Sequence, residues 1–331
     1  LKQGRAISGG IAAILLGGCA QYGSEAESNA GPEQAECAIE LIVLGAGQDA
    51  GAPQIGNPHD PAWEDPTLRL TPTSIVVVDH AAGQRYLFDA TPQITQQMNL
   101  LDALAPGSGD KLSLSGVFLT HAHIGHYAGL MYLGREAAGA SGVAVYAMPR
   151  MTEYLKSNGP WGQLIELENI ELKPLEERVP TELTEAIRVT PYRVPHRDEY
   201  SETVAFVIET DGKNALYVPD IDSWDEWESN FNLRLEDMLA QVDYAFIDAT
   251  FYDDNELPGR DMTLIPHPRV SATMERLDNQ PTELRSRIQF IHYNHTNPIR
   301  FADSEETQDV YARGFKVARA SDRHCLLPAS N

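Results

Sequence analysis

The chain has 331 residues, 48 of them acidic and 25 basic, for a formal net charge of −23. That length holds one large domain or two modest ones, and the composition is that of a globular protein, not of a disordered or membrane-spanning chain. So much negative charge repels polyanions, which argues against nucleic acid as a partner and leaves a small molecule as the expected substrate.

In chain order, Lys2 and Arg5 precede an apolar run over 7–16, and Leu16-Gly17-Gly18-Cys19 follows it. An apolar stretch of about 10–12 residues is too short to cross a bilayer, and residues 1–19 read as an export signal with a lipobox. Acylation at Cys19 would anchor the mature chain to a membrane, as an exported periplasmic lipoprotein. No Asp follows the cysteine, which points to the outer membrane. Residues 20–37 have few apolar side chains and read as a flexible tether. Cys37 and Cys325 are then the remaining thiols, as a bridge closing nearly the whole domain or as two separate groups.

Residues 38–331 read as a single domain, with no linker or repeat. Strands are expected at 39–44, 74–79 and 85–89, and a helix at 94–104, where apolar residues recur at helical spacing. A buried strand over 116–119 runs into Thr120-His121-Ala122-His123-Ile124-Gly125-His126, and a helix is expected to continue over 126–138. Later strands are expected at 186–194, 203–209, 214–218, 243–247 and 287–291, with helices at 233–241 and 270–277. The class is α/β.

The histidine cluster carries the chemistry. Alternate residues of an extended chain share a face, so His121 and His123 can address one metal ion while Ala122 points away, and His126 can reach a second position. Zinc takes neutral imidazole nitrogens, and three converging ligands with one open position make a hydrolytic site.

This pattern resembles the His-x-His-x-Asp-His signature of the metallo-β-lactamase superfamily, with Gly125 where that family has Asp. The resemblance implies a four-layered αββα sandwich and ligands at later strand ends. These are His196 for the first metal, Asp220 as the carboxylate bridging two metals, and His292 or His295 for the second. Gly45-Ala46-Gly47-Gln48-Asp49-Ala50-Gly51, Val194-Pro195-His196-Arg197-Asp198-Glu199, Val218-Pro219-Asp220-Ile221-Asp222, Phe246-Ile247-Asp248-Ala249-Thr250 and Asn294-His295-Thr296-Asn297-Pro298 are similar to motifs of proteins related to pyrroloquinoline-quinone biosynthesis protein B (PqqB).

The implied activity is that of a zinc-dependent metallohydrolase, with one or two Zn2+ ions and Asp220 and Asp49 as candidate catalytic carboxylates. It would cleave an ester, lactone, lactam or phosphodiester of a small molecule. The alternative is a non-hydrolytic lipoprotein that binds a metal or metabolite, or one with a role in pyrroloquinoline-quinone biosynthesis or transport. Gly125 removes a ligand, so three outcomes are open: a single zinc, a substitute carboxylate (Asp49, Asp222 or Asp248), or loss of hydrolysis. Trp224 and Trp227 are either a pocket wall or core. Arg197 pairs either with a substrate carboxylate or with a neighbouring acid.

Overall fold

Alternation along the early strands sets the layers. In β1 (Cys37–Gly45), Ile39, Leu41 and Val43 enter one apolar cluster while Ile42 and Leu44 enter another. The split repeats in β2 (Ser74–Asp79), with Ile75 and Val77 against Val76 and Val78. It repeats again in β3 (Gln84–Phe88), with Tyr86 and Phe88 against Leu87, and in β4 (Gly116–Phe118), with Phe118 against Val117. Successive side chains point to opposite faces, so each of these strands is covered on both sides and reads as a continuous apolar run.

The computed structural model describes residues 37–329 apart from 108, 110 and 111. The remaining strands are β5 (Val143–Ala147), β6 (Ile170–Pro174), β7 (Thr181–Thr184), β8 (Ile187–Arg193), β9 (Val204–Thr210), β10 (Ala215–Val218), β11 (Tyr244–Asp248), β12 (Ile288–Ile291), β13 (Lys316–Val317) and β14 (Arg323–Pro328). Among the described residues they form two seven-stranded sheets, in the orders β14-β1-β2-β3-β4-β5-β6 and β13-β12-β11-β10-β9-β8-β7.

Phe88, Phe118 and Phe206 meet between the sheets: the first two stack at 4.9 Å, and Phe206 meets them edge-on at 5.6 and 5.5 Å. Outside the first sheet, the helices Ile94–Leu104, Pro149–Ser157 and Trp161–Glu166 bury Met98, Leu101, Met151, Leu155 and Leu164. Outside the second, Trp224–Phe231, Leu235–Ala240, Val270–Leu277 and Glu305–Ala312 bury Trp227, Leu239, Met274 and Val310. The architecture is the expected αββα sandwich.

β1, β3 and β4 run in one direction in the first sheet, as do β8, β10, β11 and β12 in the second. Their carboxyl ends line one edge of each sheet. Two hydrogen bonds join the edges: Gln48 N donates to the Tyr293 carbonyl and Tyr293 N to the Ala46 carbonyl, both at 3.0 Å.

Two expectations change. Cys37 belongs to β1 and not to a tether, and it forms a disulfide with Cys325 across the β1–β14 pair. Bridges of this kind typically contribute ~2–4 kcal/mol by restricting the unfolded chain. The leader over 1–19 and the tether over 20–36 lie outside the described residues. The helix expected over 126–138 is one turn, Ile124–Tyr127, followed by a 3-10 segment, Ala128–Leu133. There Gly129 N donates to the Ala90 carbonyl at 2.9 Å and Ala90 N to the His126 carbonyl at 2.7 Å, so contacts with the loop after β3 set the path of this segment. No helix among the described residues is long and apolar enough to cross a membrane.

Candidate metal centre

Every ligand candidate sits just past a strand on the aligned edges. Asp49 follows β1, Asp89 follows β3, His121 and His123 follow β4, His196 follows β8, Asp220 follows β10 and His292 follows β12, while Asp248 ends β11. Loops at such an edge are free of ladder hydrogen bonds and can turn side chains into the cleft between the sheets.

The first cluster joins His121, His123, His196 and Asp220. His123 Nδ1 stands 2.9 Å from His121 Nε2 and 3.1 Å from His196 Nε2, and Asp220 Oδ2 is 3.4 Å from the His121 Nε2 and 3.2 Å from the His196 Nε2. A tetrahedron with metal–nitrogen arms of about 2.0–2.1 Å has edges of roughly 3.3 Å, close to these four separations, and all four atoms lie within 4.8 Å of one another.

The second cluster joins Asp49, His126 and His292. Both Nε2 atoms are buried without a hydrogen-bond partner, and each is 3.8 Å from Asp220 Oδ2. A buried polar atom without a partner is costly, and two aimed at one carboxylate fit a cation between them. Asp220 thus faces both clusters.

Glycine at 125 is explained by Asp49. A Cβ on residue 125 would stand 2.5 Å from Asp49 Cα and 2.6 Å from its Oδ1. The carboxylate therefore enters from the β1 loop and occupies the space that a side chain at 125 would need. Asp49, Asp89 and His292 have φ of 41°, 64° and 66°, a left-handed conformation that non-glycine residues rarely hold except where surrounding contacts enforce it.

The outer partners fix the rings. Asp222 Oδ1 is 2.7 Å from His196 Nδ1, and Asp89 Oδ2 is 2.8 Å from His126 Nδ1. Thr250 Oγ1 is 3.1 Å from His292 Nδ1. Each interaction occupies Nδ1 and leaves Nε2 for the centre, the usual way a neighbour sets the tautomer of a ligating imidazole. Asp89 is itself held by Thr120 N, Thr120 Oγ1 and Tyr217 Oη.

Burial holds the His121 imidazole well below its ordinary range, and those of His123 and His292 below it. Burial acts the same way on His126 and His196, but carboxylates outweigh it. Asp89 raises His126, and Asp220 with Asp222 pushes His196 up to about 10. Burial opposes the ionised form of Asp220, yet the charges of His196, His292 and His267 hold its carboxyl well below the usual range. Among the described residues no Lys or Arg pairs with Asp89, Asp220 or Asp248, all three buried. Buried anions compensated by imidazoles alone suit a site for cations.

The structure brings together His121, His123, His126, His196, Asp220, His292 and Asp49. It does not bring His295, whose Nδ1 lies 3.4 Å from Asn57 Nδ2 and whose carbonyl accepts from Arg300 at 2.8 Å. His292 directly follows β12 and is fully buried, whereas His295 lies farther along the loop, outside the clusters. Asp222 and Asp248 contact imidazoles and do not enter the second cluster. Trp224 and Trp227 are core: their Nε1 atoms donate to Thr273 Oγ1 and the Arg193 carbonyl.

Two residues escaped the sequence reading. Asp89 was seen only as a strand end. His267, between Pro266 and Pro268, forms a third group with Asp220 and Asp248, its Nδ1 2.9 Å from Asp248 Oδ2 and 3.3 Å from Asp220 Oδ1. No spacing marked it; its rarity as one of ten histidines was the available signal.

A family model for a beta-lactamase superfamily domain matches residues 84–308. The chain is 25% identical to coenzyme PQQ synthesis protein B of Methylorubrum populi, over 85% of its own length and 97% of that protein. It is 28% identical to the same-named protein of Rhizobium meliloti, over 84% and 95%. Among solved structures it is similar to Zn(2+)-bound PqqB from Methylobacterium extorquens, with TM-score 0.70 and 23% identity over 86% of this chain and 99% of that one. It is also similar to a diphosphatase of the PhnP family, with TM-score 0.60 and 21% identity over 86% and 96%. Those two likenesses are of fold. With the matched segment running from β3 to the helix Glu305–Ala312, and so through both sheets and most of the ligand loops, the chain belongs to the beta-lactamase superfamily and has the metallo-β-lactamase fold.

Proposed function

We propose that this protein is a zinc-dependent hydrolase of a small molecule, holding two ions that share Asp220. The observation that carries this reading is the pair of clusters on either side of Asp220, with His126 Nε2 and His292 Nε2 buried and unpartnered. His121 Nε2, His123 Nδ1 and His196 Nε2 would hold one ion. His126 Nε2, His292 Nε2 and Asp49 would hold the other, Asp49 replacing the carboxylate that Gly125 cannot supply. Zinc suits a donor set dominated by imidazole, and the similar PqqB structure contains it.

When bound, the metal pair supplies acidified water as a nucleophile at neutral pH and polarises the bond under attack. The chain's own residues do the rest. Asp222, Asp89 and Thr250 hold three rings in register. Asp248 holds His267 through Nδ1, while His267 Nε2 makes no hydrogen bond among the described residues, so this imidazole can carry a proton to a leaving group. The net charge of −23 supports a small substrate over nucleic acid. The lipobox at Cys19 and the Cys37–Cys325 bridge support an exported, lipid-anchored protein, since disulfides persist in oxidising compartments.

Elemental analysis of purified protein is the test, with two zinc ions per chain expected. Chelator and His121→Ala should each abolish turnover on an ester, lactone, lactam and phosphodiester panel. Protein that takes up no metal, or turnover that survives both treatments, would defeat the reading. A role in pyrroloquinoline-quinone biosynthesis or transport is a second reading, supported by the near full-length similarity to coenzyme PQQ synthesis protein B. Failure to complement a strain lacking that protein would count against it.

A further inference from the structure

A cavity of about 460 Å³ adjoins the first cluster. One wall is the loop after β10 with the start of the helix Trp224–Phe231, and the other is the segment around His267 with the helix Val270–Leu277. Small-molecule sites span roughly 300–1,000 Å³, so the size is that of a ligand pocket. Two lining residues already touch the ligand set. Asp222 Oδ1 is 2.7 Å from His196 Nδ1, and His267 Nδ1 is 3.3 Å from Asp220 Oδ1. The His196 and His267 rings themselves stand 5.7 Å apart.

Both residues keep one polar atom in reserve. Asp222 Oδ2 and His267 Nε2 make no hydrogen bond among the described residues, although the His267 side chain is only 3% exposed. The wall is acidic. Arg276 is the one permanent cation among the lining residues, and its guanidinium is taken: Nε and Nη2 lie 2.7 and 3.1 Å from the Glu236 carboxylate, and Nη1 lies 2.7 Å from Asp225 Oδ1. Asp225 and Glu226 also offset the partial positive charge at the N-terminus of the helix Trp224–Phe231, where Ser223 Oγ accepts from Glu226 N at 3.3 Å. The Asp222 carboxylate is what remains. Among the described residues its one ion-pair partner is the His196 ring, which must be neutral to bind a metal.

We propose that this cavity is a substrate subsite of the metal centre and that it holds an ammonium group, hydrogen-bonded to Asp222 Oδ2. This rests on the hydrolase reading and gives it a substrate class: a small amine whose cleaved bond lies at the metal ions. An ammonium carries donors and a positive charge, the complement of a carboxylate oxygen without a cation of its own. His267 Nε2, assigned above to proton transfer, places the wall of the cavity next to the bond that is cleaved. The net charge of −23 acts in the same direction, drawing cations towards the protein.

The test uses full-length wild type, Ala272→Trp and Asp222→Asn at saturating zinc, with calorimetric binding of benzylammonium, benzyl alcohol and phenylacetate at neutral pH. Ala272 is exposed, lines the cavity and lies outside the ligand clusters, so a tryptophan there fills the space and should leave metal content unchanged. Wild type should prefer benzylammonium to the other two probes. Losing a charge-assisted contact should weaken benzylammonium about 10-fold or more in both variants, while benzyl alcohol binds Asp222→Asn as it binds wild type. Benzylammonium binding that survives Ala272→Trp, or that is equal in Asp222→Asn and wild type, overturns the proposal. So does wild type with no preference for the cation. If wild type takes up no metal, the hydrolase reading falls, while the same probes on the same samples still decide whether the cavity holds an ammonium group.

Discussion

Asp220 faces both ligand clusters, which are assembled differently. In the first, His121 and His123 come from one short stretch, and the four ligand atoms lie within 4.8 Å of one another. In the second, each residue comes from a different loop, Asp49 after β1, His126 past β4 and His292 after β12. That arrangement depends on the two backbone hydrogen bonds joining the Gln48 and Tyr293 loops, and on left-handed backbone at Asp49 and His292. One local motif fixes two of the four residues of the first cluster, whereas the second depends wholly on how three loops are placed.

The largest expected effect erases the difference. Asp220→Ala removes the carboxylate facing both clusters, so both ions should be lost. Affinity should fall by more than the roughly 100-fold that loss of an outer partner costs, read by metal titration of the chelated protein. Retention of one ion at wild-type affinity would show that the clusters do not depend on Asp220 jointly. Asp49→Asn separates them: the second ion should weaken while the first stays, which metal analysis and anomalous scattering resolve together. Loss of the first ion as well would contradict the placement of Asp49.

A smaller effect probes the exchange of carboxylates. Gly125→Asp alone should not strengthen the second position. Its Cβ would collide with Asp49, costing ~1–3 kcal/mol by overpacking, visible as a lower Tm. Adding Asp49→Gly to that variant frees the space and should recover both stability and second-ion binding. If Gly125→Asp is as stable as wild type, the close approach is not a constraint.

The mildest signal is protonic. Each cluster has one imidazole held up by carboxylates against burial, His196 at about 10 and His126 above its ordinary value. A raised folded-state pKa stabilises the metal-free protein below the ordinary histidine range, and that contribution is lost as pH rises towards about 10. Bound metal displaces these protons, so uptake should release protons and strengthen with pH. Calorimetry in buffers of different ionisation enthalpy measures this release. Uptake without it would mean that both rings enter neutral.

Much of the first cluster was legible because its chemistry is local. His121 and His123 are two apart, so extended backbone alone puts them on one face. His196 and Asp220 came from the superfamily resemblance, each just past an apolar run long enough to read as a strand. The second cluster was only half legible. Asp49 was one of three candidate carboxylates, and nothing local distinguishes it from Asp222 and Asp248; the 2.5 Å approach to Gly125 does. The strands β5, β6 and β14 went unread, since they end or flank a sheet and are partly exposed, without the unbroken apolar runs of β1 and β2.

By itself the sequence determined the metal-binding character of the chain, its likeness to the superfamily and the residues able to serve, because ligand type and short spacing are properties of the chain. Tertiary structure decided between His292 and His295, drew in Asp49, Asp89 and His267, and paired Cys37 with Cys325. Those outcomes depend on which strand ends two packed sheets bring to one edge, a long-range matter on which local pattern carries no information.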